Sequence, residues 1–129
     1  MAQIGIEKVS GWGFEEALER VQELLKAEGF GILTQIDVQA TIKQKLGLDF
    51  RRYRILGACN PKLAHQALSQ VLEVGVLLPC NVVVYERDDG KAVVRAVDPM
   101  QTIAAAEPAL APIASEVRAR LGRVLDRVA

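Results

Sequence analysis

The sequence predicts an α+β domain: a mixed or antiparallel sheet of about five strands with helices packed on one face. Three observations predict it. Amphipathic helical stretches alternate with short apolar runs as far as Gly75, a hairpin pattern follows late at "CNVVVYERDDGKAVVRAV", and two further helical stretches close the chain. No repeat, low-complexity tract or linker divides the 129 residues, so residues 1–129 read as one domain.

Residues 3–9, "QIGIEKV", alternate loosely and read as a first strand. "GFEEALERVQELLKAEG" then sets Phe14, Ala17, Leu18, Val21, Leu24 and Leu25 on one helical stripe. Glu15 and Glu16 complement the dipole in its first turn, and Gly29 stands where a C-terminal cap belongs. "FGILTQI" is a second strand. Asp37 caps a short helix closed by Gly47, with Val38, Ile42 and Leu46 at four-residue intervals. "RRYRILGA" at 51–58 is a third strand, in which Tyr53 and Ile55 alternate onto the face of Cys59.

Asn60 is a strong N-cap and Pro61 suits the first helical position, where its missing N–H costs nothing. The helix after it puts Leu63, Ala64, Ala67, Leu68, Val71 and Leu72 on one stripe. Gly75 ends it, and "VLLP" leads in extended form to the hairpin, whose turn is Asp88-Asp89-Gly90. Val82, Val83 and Val84 point to both faces, as in an internal strand covered on both sides. Asp98-Pro99 repeats the cap-then-proline pattern and predicts a short helix at about 99–105. The last helix, about 109–128, buries Ile113, Val117, Leu121, Val124, Leu125 and Val128, and its arginines gather toward the C-terminal half.

Charge narrows the function classes. Sixteen basic and sixteen acidic residues give zero formal net charge, which argues against a nucleic-acid binder. The N-terminus lacks the pattern of a signal peptide and no apolar stretch approaches a membrane span, so the expectation is a cytoplasmic chain with no membrane partner. Few Ser, Thr and Asn beside abundant Arg, Glu, Leu and Ala lean toward a thermophilic composition.

The candidate chemistry lies in two cysteines, Cys59 and Cys80, each followed directly by an asparagine and each within two positions of a proline. In a reducing compartment they read first as small buried hydrophobes, next as a joint redox, metal or ligand site, and last as a disulfide. Strands that run antiparallel as neighbours would bring both thiols to one sheet end. A plain crossover would leave them about 20 Å apart. A closed zinc site takes four ligands, and one chain supplies two Cys and one His, so the metal question stays open and no cofactor is named. His65, one turn into the Asn60-capped helix, reads as solvent-facing or as a neighbour of Cys59. Tyr53 and the Arg51–Arg54 segment are further candidates for lining a pocket there. "SGWGF" lacks the spacing of a phosphate loop.

The stretches "DVQATIKQKLGLDFRRYRILGACNP" and "LLPCNVVVYE" resemble the domain of unknown function 302 family. The resemblance spans nearly the whole chain and rests on Lys45-Leu46-Gly47, Cys59-Asn60-Pro61 and Leu78-Pro79-Cys80. It implies a small, self-associating α+β domain and draws further attention to Cys59 and Cys80. The leading expectation is a homodimeric, non-enzymatic domain binding a small ligand or metal near these thiols, with Trp12 and the final helix as candidate dimer surfaces. The rivals are a thiol-dependent redox enzyme using Cys59 and Cys80, and a purely structural or interaction module.

Overall fold

A computed structural model describes residues 3–129. Its sheet has five strands: β1 (Ile6–Val9), β2 (Gly31–Asp37), β3 (Tyr53–Cys59), β4 (Cys80–Glu86) and β5 (Ala92–Ala96). They lie in the order β1-β5-β4-β3-β2, and every neighbouring pair is antiparallel. The helices are α1 (Phe14–Ala27), α2 (Val38–Leu46), α3 (Pro61–Gln70), α4 (Ile103–Ala106) and α5 (Ala111–Asp126). This is the α+β architecture that the element order predicts.

One sheet face makes the main core. Leu56 and Ala58 of β3, Val82 and Val84 of β4, and Val94 and Ala96 of β5 are fully or nearly fully buried there. Against them pack Phe14, Ala17, Leu18, Val21 and Leu25 of α1 and Val117, Leu121, Val124 and Leu125 of α5. Each large aliphatic side chain so buried contributes about 1.5–3 kcal/mol, and the 3.6-residue spacing of both stripes delivers them to one side. A charge at Val21, in the middle of this layer, would break it.

The opposite sheet face has no such layer. Val83 and Tyr85 of β4 are half-buried, so β4 is internal to the sheet but sealed on one face only. Tyr53 stacks on Tyr85 with ring centroids 5.2 Å apart, and Phe50 tilts against Tyr53 at 6.5 Å. Helix α2 touches β2 and β3 but buries no residue.

Local signals set most boundaries. The Asp37 carboxylate accepts from the Ala40 N–H at 2.9 Å, and Gly47 closes α2 in the left-handed region. Gly29, at φ 87°, turns the chain out of α1. Three stretches depart from expectation. Helix α3 ends at Gln70 because Val71 turns to an extended conformation (φ −138°, ψ 99°), which leaves Leu72 79% exposed rather than on the buried stripe. The "VLLP" approach is not extended throughout, since residues Leu72–Leu77 form a 3-10 segment and only Leu78 is extended before Pro79. Asp98-Pro99 starts a turn rather than a helix: Asp98 accepts from the Met100 N–H at 2.9 Å and also binds Arg118 at 3.1 Å. Helix α4 begins only at Ile103.

Gly57, buried in β3, is a point of very close approach within the sheet. A Cβ there would stand 2.1 Å from Thr34 Oγ1 and 2.9 Å from Pro79 Cγ, so only hydrogen fits between β2 and the start of β4.

Candidate functional site

The site grows from the way β3 hands over to β4. Strand β3 ends at Cys59, and Asn60 caps α3 by accepting from the Leu63 N–H at 3.2 Å, with Pro61 in the first turn. Helix α3 and the 3-10 segment then carry the chain out and back. It re-enters the sheet beside its exit: Ala58 pairs with Cys80 across the antiparallel β3–β4 ladder. Both cysteines thus stand at one end of the sheet, and both are free thiols.

Between that sheet end and the helices lies a cavity of about 340 Å³. Cys59, Cys80 and Ala58 contribute from the strands; Leu63, Ala64, Ala67 and Leu68 from one face of α3; and Ile113 and Val117 from α5. The hydrophobic core is divided here. One cluster is the main sheet–helix core, and a second gathers around Ala67, Val74, Ile103, Leu110 and Ala114. The cavity takes its walls from both, and Ile113 packs against each. Small side chains at Ala64 and Ala67, where a closed helix interface would carry larger ones, leave the space open. Leu33, 66% exposed, and Gly75 stand at its outer edge.

No Asp, Glu, Lys, Arg or His lines this space. Burial, with a smaller contribution from the neighbouring Cys59, pushes the Cys80 thiol up to about 11. At neutral pH Cys80 is therefore an uncharged S–H, a poor nucleophile and a poor metal ligand. Cys59 is half-buried.

The remaining candidates are not brought to the cavity. His65 is exposed and off the α3 face that lines it. Tyr53 lies at the far end of β3, about 20 Å away by strand rise, where it borders a separate, more polar hollow of about 290 Å³ with Asn81, Arg95 and Asp98. Arg51 pairs with Asp88, Arg52 with Glu15 and Arg54 with Asp37, so the basic run is spent in surface ion pairs. Of the four named candidates, only Cys59 and Cys80 share a site. Among the described residues no group of three or more His, Cys, Asp or Glu gathers as metal ligands would. The residues that sequence reading assigned to plain packing, Ala64, Ala67, Ile113 and Val117, prove to be cavity walls. Their signal was the pair of alanines in the middle of an otherwise leucine-rich stripe.

No helix among the described residues is long and apolar enough to cross a membrane. No curated protein matches the chain. A crystal structure of an uncharacterised conserved DUF302 protein from Bacillus stearothermophilus is 38% identical, with a TM-score of 0.89, over 99% of this chain and 100% of that one. The family model described as "Domain of unknown function DUF302" matches residues 6–128, nearly the whole folded domain including both cysteine motifs, and the chain belongs to that family.

Proposed function

We propose that this domain is a small-molecule binder whose ligand occupies the cavity beside Cys59 and Cys80, and that it acts without chemical turnover. The observation that carries the reading is the unfilled apolar space of about 340 Å³ at the junction of two core clusters. Well-folded domains pack their interiors closely, and ligand pockets begin at about 300 Å³. The absence of charged groups from its walls favours an organic ligand over a metal ion. Two-dimensional amide NMR with a library of small fragments tests it. Shifts concentrated on Cys59, Ala67, Cys80 and Val117 support the reading; scattered or absent shifts overturn it.

Self-association is the second part of the proposal. Helix α5 and Trp12 are the weaker candidates for its surface, because α5 spends its apolar stripe on the core and the half-buried Trp12 packs against that core beneath Arg20. Among the uncovered apolar side chains, Ile36, Leu48 and Phe50 are 43–58% exposed, and Phe50 tilts against the half-buried Tyr53 that stacks on Tyr85. A second copy would cover them, and a chain of zero net charge does not repel its own kind. Sedimentation of the protein at micromolar concentration should give a dimer that Phe50→Glu dissociates; a monomer throughout overturns this part.

The thiol-redox reading retains one favourable observation, two free cysteines at the same sheet end. The raised Cys80 thiol weighs against it, since the thiolate is the attacking species.

A further inference from the structure

We infer that the ligand is an uncharged, apolar molecule of about a dozen non-hydrogen atoms that bridges the two hydrophobic clusters. This rests on the reading that the cavity is a ligand site, and goes on to say what that site accepts.

The size follows from comparison with a known case. An apolar cavity of about 150 Å³ in another protein holds one benzene ring. The space here, about 340 Å³, is a little more than twice that and holds roughly twice the atoms.

The polarity follows from the walls. Asn60 is the only side chain with oxygen or nitrogen on the lining, and its carbonyl oxygen is already engaged by the Leu63 N–H. The two thiols are weak hydrogen-bond partners. A carboxylate or ammonium placed inside would find no counter-charge and would lose its hydration. A hydrocarbon chain or ring loses nothing there and gains contact with Leu63, Leu68, Ile113 and Val117.

The location adds a consequence for stability. A molecule seated between the clusters touches α3 and α4 on one side and β4 and α5 on the other, so it completes the core. Because the unfolded chain offers no such space, binding raises the midpoint of unfolding. The outer edge at exposed Leu33 and Gly75 leaves a path for a longer tail to emerge over apolar surface.

The test compares 1-octanol with octanoate, two molecules of the same chain length of which the first is neutral and the second an anion at pH 7.5, each at 1 mM. The readouts are the melting temperature and the amide NMR shifts of the whole protein. Octanol is expected to raise the midpoint by about 3–6 °C, with shifts on Ala67 and Cys80, while octanoate gives less than a third of that rise. Ala67→Phe, which fills the space, should abolish the octanol effect; Ala64→Leu on the same wall serves if that variant fails to fold. Octanoate binding as well as octanol, with shifts at the same residues, overturns the uncharged class and leaves the site standing. Octanol acting equally on the filled variant, or neither molecule binding, overturns both the class and the site.

Discussion

Ala58 faces Cys80 directly across the β3–β4 ladder, which puts Cys59 and Cys80 at the same end of the sheet although α3 and a 3-10 segment separate them in sequence. Their environments nevertheless differ: Cys59 is half-buried, whereas Cys80 is 7% exposed. The same neighbourhood thus holds an accessible thiol and a sealed one.

That difference predicts ordered reactivity. At pH 7.5, N-ethylmaleimide should modify Cys59 first and Cys80 only slowly, because a thiol held at about 11 is ionised to well under one part in a thousand there. Mass spectrometry of peptides after timed quenching reads both rates. Equal rates would mean that Cys80 is neither buried nor suppressed.

The same shift sets an alkaline limb of stability. Cys80 rises from 9.0 when exposed to about 11 when folded. Between those values the unfolded chain has released a proton that the folded chain retains, so stability is full below pH 9 and falls as pH rises toward 11. The loss across that window is about 2–3 kcal/mol. Urea unfolding at pH 8.5 and 10.5 measures most of it, and Cys80→Ala should be less stable at pH 8.5 but lack this component, so that its deficit against the wild type shrinks by pH 10.5.

Gly57 predicts a steric effect with an identifiable partner. Gly57→Ala drives a methyl group toward Thr34 Oγ1 and Pro79 Cγ. Since β3 is hydrogen-bonded on both sides, its backbone has little room to retreat. The expected cost is about 1–3 kcal/mol. Thr34→Ala in the same chain should recover part of it and leave the share owed to Pro79, so a double-mutant cycle by chemical denaturation should give clear coupling. Independent, additive effects would show that the sheet yields here.

How far the sequence carried the reading follows from which signals were local. Asp37 with Gly47, and Asn60 with Pro61, announce helix ends through groups within a few residues, and they stand where expected. The main helical stripes were legible for the same reason. Val71 was not, because its extended conformation ends α3 without a glycine or proline at that position. Asp98 resembles a helix cap in the local pattern, but its carboxylate serves the Met100 N–H and Arg118, twenty residues on, a partner invisible in that pattern. The cavity was half legible. The two cysteine motifs stand out in the sequence, but whether the thiols meet depends on the return path of α3 and the 3-10 segment. The alanine walls looked like packing because an alanine facing a void and one facing a neighbour have the same helical phase.

Asn60 joins the most legible signal to the cavity itself. Its carbonyl oxygen fixes the first turn of the helix whose Leu63, Ala64 and Ala67 form one wall. Asn60→Ala removes that acceptor and should lower stability by about 1 kcal/mol, whereas Asn60→Asp, which keeps an oxygen in place, should lose much less. If the cap only ends a strand, the two variants differ in stability alone. If it also holds the wall in position, Asn60→Ala weakens 1-octanol binding beyond what its stability loss explains, with amide hydrogen exchange rising first in α3. Because the later turns of α3 are held by the 3-10 segment that follows it and by α5, loosening should stay confined to its first turn. Exchange accelerated equally in α1 would show that the cap acts on the whole fold and not on the binding wall.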